Sequence, residues 1–181
     1  MIYMFIAEGF EEIEALCPLD LMRRAGLEVT TVGIGRKEIT GAHGITVRTD
    51  ICSREYSKVK DFDMIFLPGG MPGTLNLANS KAVIGAIRHA AENDRYIAAI
   101  CAAPSILGDM GLLEGKEAIC YPGFEDRLTG AKISSSTVVL DGKILTAAGM
   151  GAALDMGLKI VEIFCGKQKA DELRHAVIAD R

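Results

Sequence analysis

The chain has 181 residues, enough for one domain spanning 1–181, and 49% hydrophobic against 24% charged residues is an ordinary globular balance. A formal net charge of −4, with no basic run and no basic face studded with aromatics, argues against nucleic acid as a partner. The opening apolar stretch, Ile2 to Ala7, is too short for a signal peptide or a membrane span, so a cytoplasmic protein without a membrane partner is expected.

In chain order, Ile2 to Ala7 reads as a buried strand. Glu12 to Ala25 reads as a helix, with Ile13, Cys17 and Leu21 four residues apart, Pro18 as an expected kink and Gly26 as the stop. Glu28 to Ile34 is a second strand, and Ile39 to Thr49 holds short β-like pieces around Gly41 and Gly44 that suggest a hairpin. Met64 to Leu67 is a core strand ended by Pro68-Gly69-Gly70-Met71-Pro72-Gly73. Ala82 to Asn93 is helical, Tyr96 to Ile100 is a buried strand, and Pro104 to Leu113 is the helix after it. A short strand is expected at Ala118 to Tyr121, and a hairpin where Val138 to Leu140 and Lys143 to Thr146 flank Asp141-Gly142. Ala152 to Phe164 and Lys169 to Ile178 close the chain as helices. Alternating strands and helices imply βαβ units, a mostly parallel sheet and helices on both faces.

In such a sheet the ligand site lies beyond the carboxyl ends of the strands. That places three loops together: the one after Ala7, the one after Leu67, and the one carrying Cys101. Cys101 sits where a strand turns into a helix, with the small residues Ala102 and Ala103 behind it. Amide groups of a helix start and its dipole favour a thiolate, the cysteine counterpart of a nucleophile elbow. The competing reading is a buried structural thiol.

Glu11 and Glu12 read as a solvated acidic helix start. Glu14 lies one turn further in. Either it stays on that solvated face, or it turns toward the sheet end as a protonated carboxyl that donates to the Cys101 sulfur and carries a proton. Pro68-Gly69-Gly70 is either a plain turn or an oxyanion hole built from the Gly70 and Ala102 N–H groups.

The five cysteines (Cys17, Cys52, Cys101, Cys120, Cys165) are odd in number and contain no Cys-x-x-Cys pair; His43, His89 and His175 are scattered. Neither a disulfide framework nor a metal site is expected, and no motif calls for a cofactor. Cys120 is the next candidate for an oxidisable thiol, and the three histidines read as loop or surface residues.

Five segments, Glu11-Glu12-Ile13-Glu14-Ala15, Asp20-Leu21-Met22-Arg23-Arg24-Ala25-Gly26, Leu67-Pro68-Gly69-Gly70, Ala99-Ile100-Cys101-Ala102-Ala103-Pro104 and Leu145-Thr146…Gly149-Met150-Gly151, occur in this order. Together they resemble the ThiJ/PfpI superfamily, in its DJ-1-like branch, over nearly the whole chain. The resemblance implies a flavodoxin-like, class I glutamine amidotransferase-like three-layer α/β sandwich and a homodimer. It implies Cys101 as nucleophile or oxidisable thiol, Glu14 as its hydrogen-bond partner, and Gly69, Gly70 and Ala102 as backbone donors. It also implies glutathione-independent glyoxalase or protein deglycase activity on a small carbonyl substrate or a glycated protein. The alternatives are a redox-responsive sensor or chaperone without turnover, and an amidotransferase-like subunit. This chain departs from the pattern in carrying Tyr121 where many relatives have histidine, and Ala148 and Met150 where the best-known relative has arginine and proline. Tyrosine is a poor base at neutral pH, which leaves Glu14 as the proton carrier and makes Tyr121, Gly149 and Met150 candidates for a more apolar pocket wall.

Overall fold

The computed structural model describes residues 1–56 and 61–180. Its strands are β1 (Ile2–Ile6), β2 (Val29–Gly33), β3 (Glu38–Thr40), β4 (Thr46–Arg48), β5 (Ile51–Cys52), β6 (Met64–Leu67), β7 (Tyr96–Ile100), β8 (Glu117–Ala118), β9 (Lys132–Ile133), β10 (Val138–Asp141) and β11 (Ile144–Ala147). Its helices are α1 (Glu12–Arg24), α2 (Ser53–Tyr56), α3 (Gly73–Ala78), α4 (Lys81–Glu92), α5 (Pro104–Asp109), α6 (Ala153–Cys165) and α7 (Lys167–Ala176). Among the described residues no helix is long and apolar enough to cross a membrane.

Seven strands form one sheet in the order β10-β11-β7-β6-β1-β2-β5. Every neighbouring pair is parallel except β10 with β11, the hairpin expected at Asp141-Gly142. The α/β expectation holds, and the buried strands show why. All five residues of β1 are buried, and they divide by parity. Tyr3 and Phe5 face a core shared with α3, α4 and α5 through Leu77, Ile87 and Leu107. Ile2, Met4 and Ile6 face the opposite core, shared with α1 and α6 through Leu19, Met22, Met156 and Ile160. Alternating side chains of a strand covered on both faces must both be apolar, so the run is continuously hydrophobic. On the outer side α7 packs on α1 and α6 through Leu21, Leu158, Val161 and Leu173.

Several local expectations change. Pro18 does not break α1, which runs from Glu12 to Arg24 with Pro18 buried inside it. The proline removes one backbone donor. The burial of α1 against the sheet and α6 holds the helix through that gap. The segment at 118–121 contributes only Glu117–Ala118, paired in parallel with Lys132–Ile133, and Tyr121 lies in the turn that follows. The helix after Cys101 ends at Asp109, short of Leu113. The hairpin expected at 39–49 forms as the antiparallel pair β3–β4, separate from the main sheet. Helix α3 was not anticipated, because glycine and proline crowd its start.

Met156 lies fully buried on α6, in the core that α6 shares with α1 and the sheet. Met156→Ala is expected to lower stability by about 2–5 kcal/mol through lost contacts and a residual cavity. Urea unfolding checks this as a fall in midpoint at unchanged slope.

Candidate active site

The carboxyl ends of β1, β6, β7 and β11 lie side by side in register: Leu67 opposes Ala99, and Ala147 opposes Ile100. The loops that follow carry Glu11, Gly69-Gly70, Cys101-Ala102 and Gly149-Met150. Sheet topology therefore brings together residues more than a hundred positions apart.

Cys101 adopts φ +65, a left-handed conformation that a residue with a side chain rarely takes. Its surroundings impose it. The Cys101 N–H donates to the Ala147 carbonyl at 2.9 Å, and the Cys101 carbonyl accepts from the Tyr121 N–H at 2.8 Å. Ala103 N–H then closes back on the Ile100 carbonyl at 3.0 Å. Both main-chain groups of Cys101 are thus held, one by the end of β11 and the other by the turn at Tyr121, and strain of this kind persists only where neighbours over-determine it. The turn projects the half-buried sulfur toward the loop after β6, where the Gly70 and Ala102 N–H groups donate to it.

Glu14 is 1% exposed, although it lies in the first turn of α1. Glu11 caps that turn, its carboxylate accepting the Glu14 N–H at 2.7 Å. The Glu14 carboxyl faces inward and accepts from the Gly69 N–H at 3.1 Å and from the Met150 N–H, and it hydrogen-bonds with the Cys101 thiol. Gly69 has no room for a side chain. A Cβ there would stand 2.5 Å from Glu14 Oε2 and 2.6 Å from Cys101 Cβ. The close approach of acid and thiol therefore requires glycine at 69.

Burial pushes Glu14 up to about 7. Burial, reinforced by the Glu14 charge, pushes Cys101 up to about 12, and the Gly70 and Ala102 N–H groups offset this only in part. Burial is the larger cause of both shifts, and repulsion from Glu14 adds to the second. At neutral pH the thiol therefore keeps its proton while the carboxyl is close to half ionised, and the two titrations are coupled. The expectation that a helix start alone ionises Cys101 is corrected accordingly. Desolvation outweighs the amide donors, so Cys101 rests as a thiol whose proton can pass to Glu14.

Other expectations shift as well. Gly69 points its N–H at the Glu14 carboxyl rather than at the sulfur, so it orients the acid. Glu12 is not solvated; it is 3% exposed and accepts from the His43 N–H at 2.7 Å, the Ile45 N–H at 3.4 Å and the His43 ring at 2.8 Å. His43 is thereby fixed against α1 and ties the β3–β4 loop to the helix that carries Glu14. Glu11, Glu12 and His43 form a group with metal-ligand chemistry, but Glu11 caps α1 and Glu12 is occupied by the β3–β4 loop. Cys120 is 1% exposed and its thiol is pushed up to about 11, chiefly by burial, which makes it a poor second oxidisable group. The Met150 N–H escaped sequence reasoning, because a backbone donor has no residue signature. Its only hint was a Gly-Met-Gly loop at a strand end.

Known proteins resemble this chain over most of its length. The chain is 38% identical over 173 residues to Protein DJ-1 homolog B of Arabidopsis thaliana, covering 93% of this chain but only 39% of that protein's length. It is 32% identical over 168 residues to the glutathione-independent glyoxalase DJR-1.2 of Caenorhabditis elegans, covering 92% and 89% of the two chains. The structure of oxidized Toxoplasma gondii DJ-1 superposes with a TM-score of 0.92 at 30% identity, covering 98% of this chain and 97% of that one.

Linkage gives the pair a measurable signature. Glu14 has a folded pKa raised above its unfolded value, so protonation favours the folded state. That stability is fully present below about pH 4.5 and is lost as pH rises through about 7. Between pH 4 and 8 the stability difference between wild type and Glu14→Gln should shift by about 3 kcal/mol in the variant's favour. Urea unfolding at both pH values tests this, and equal slopes in the two proteins would contradict it.

The DJ-1/PfpI family model matches residues 1–163, and the chain belongs to the DJ-1/PfpI family.

Proposed function

We propose that this chain is a glutathione-independent glyoxalase that converts α-oxoaldehydes to α-hydroxy acids with Cys101 as nucleophile and Glu14 as proton carrier. One observation carries the reading: a half-buried thiol on a strained backbone hydrogen-bonds with a buried carboxyl, and backbone N–H groups converge on both. The named activity of the Caenorhabditis elegans relative supports it.

The chemistry balances on these groups alone. The Cys101 sulfur attacks the aldehyde carbon of methylglyoxal, and the carbonyl oxygen takes the proton from Glu14, giving a hemithioacetal. The N–H groups of Gly70 and Ala102 stabilise the developing oxyanion. Glu14, now a carboxylate, removes the hydrogen on the former aldehyde carbon and returns it to the neighbouring carbon, leaving a 2-hydroxyacyl thioester. Water hydrolyses the thioester to lactate and restores the thiol. In the deglycase form of the reading the Cys101 sulfur displaces the amine from the hemiaminal carbon of an aldehyde adduct, the C–N bond breaking as Glu14 protonates the leaving nitrogen, and the same hemithioacetal results. With Tyr121 in place of a histidine base, an amidotransferase-like role is disfavoured.

Cys101→Ser is expected to abolish lactate formation from methylglyoxal while circular dichroism shows an unchanged fold. Glu14→Gln should slow it by roughly 10²–10⁴-fold. Full activity in Cys101→Ser, or none in wild type, would end the enzyme reading.

A second reading has its own support. An oxygenated Cys101 sulfur would meet the same amide donors, and the Toxoplasma gondii relative was solved in an oxidized form. Intact mass after mild peroxide should then gain two oxygens, confined to Cys101. An unchanged mass would remove the sensor reading.

A further inference from the structure

Each member of the catalytic pair is anchored to a large apolar residue that is left open to water. The Tyr121 N–H is bonded to the Cys101 carbonyl, and the Met150 N–H to the Glu14 carboxyl. Yet Tyr121 is 51% exposed and Met150 is 54% exposed. A tyrosine and a methionine are thus each half-uncovered on a residue whose backbone holds the catalytic pair. Neither position is free to drift. The Tyr121 carbonyl accepts the Phe124 N–H at 3.1 Å, closing the turn through Pro122-Gly123, so backbone bonds fix the residue at both ends.

The ring of Tyr121 and the Glu14 carboxyl both border Gly149. A Cβ on Gly149 would lie 3.2 Å from Tyr121 Cδ2, 3.8 Å from Tyr121 Cε2 and 3.8 Å from Glu14 Oε1. Ring and carboxyl therefore flank the same bare stretch of backbone, one ring edge resting on Gly149 and the remainder facing outward. An aldehyde carbon attacked by Cys101 and served by Glu14 carries its substituent past this ring.

Electrostatics points the same way. Glu11 and Glu14 lie on the α1 side of the pocket, and Glu11 has a histidine nitrogen of His43 at 3.9 Å as its ion-pair partner. A substrate carboxylate entering on this side meets Glu11, Glu14 and an aromatic ring, and the His43 ring that pairs with Glu11 is also held by Glu12.

We infer that Tyr121, backed by Gly149 and flanked by Met150, is the specificity wall of this site, selecting uncharged α-oxoaldehydes with an aromatic substituent over methyl-bearing and carboxylate-bearing ones. The inference rests on the glyoxalase reading for its substrate class and on the Tyr121 geometry for its selectivity. A flat substituent lies against the open ring face. Aromatic pairs of this kind are worth about 0.5–1.5 kcal/mol beyond their buried area.

The test uses the full chain as wild type, Tyr121→Phe and Tyr121→Ala, with kcat/KM measured for phenylglyoxal, methylglyoxal and 4,5-dioxopentanoate. Wild type should prefer them in that order. Tyr121→Ala should lower the phenylglyoxal-to-methylglyoxal ratio by roughly 2- to 12-fold. Tyr121→Phe should keep the ratio, separating the ring from its hydroxyl. A parallel measurement needs no turnover: the rate of Cys101 alkylation by N-benzyliodoacetamide relative to iodoacetamide, which should fall by a similar factor in Tyr121→Ala and not in Tyr121→Phe. An alkylation ratio indifferent to Tyr121→Ala overturns the wall. So does a wild type that prefers the carboxylate-bearing aldehyde. No turnover of any oxoaldehyde with the alkylation selectivity intact removes the glyoxalase reading and supports the wall as the aryl-selective surface of a reactive thiol.

Discussion

A buried carboxyl hydrogen-bonded to a half-buried thiol is the constraint around which this end of the molecule is organised. Two unshared charges in that space would repel and be poorly solvated, so the protein must either protonate one group or supply compensating dipoles. It does both. Gly69 and Met150 direct amides at Glu14, and Gly70 and Ala102 direct amides at Cys101. Each of these donors comes from a loop at the carboxyl end of a parallel strand. The sheet thereby acts as a jig that fixes backbone dipoles around a group whose charge moves during the proposed reaction.

The same constraint explains why glycine and small residues crowd these loops. At position 69 any side chain would occupy the space between the acid and the thiol. At 101 the side chain that is tolerated costs backbone strain, and hydrogen bonds to the end of β11 and to the turn at Tyr121 hold the backbone in place. A site of this kind depends on its supports being rigid, and here the supports are core strands whose residues are almost entirely buried.

How much of this could be read from the sequence depended on whether a feature was local. The strands β1, β6 and β7 were legible because burial on both faces leaves a continuous apolar run. The placement of Cys101 at the turn after β7 was legible because an apolar run ends there and Ala-Ala-Pro follows. The order of the motifs brought the family likeness with it, and the family match bears it out. What escaped was set by distant contacts. Glu12 looks like any acidic residue at a helix start until the β3–β4 loop, some thirty positions later, folds over it. The short helix α3 was hidden by the glycines and prolines that introduce it. The ionisation of Cys101 was misjudged because a dipole can be inferred from the order of elements, whereas desolvation depends on packing that sequence does not display.

The margins of the main sheet carry a separate consequence. One rim is β5, two residues long, and the other is the four-residue β10. Exposed rims of long strands are templates on which further chains can add, and brevity is a common defence against it. A rim of two residues presents too few free amides and carbonyls to recruit a foreign strand in register. Fibrillar growth by rim-to-rim docking is discouraged on that side, and a copy approaching there has helices and loops, rather than a ladder, to meet.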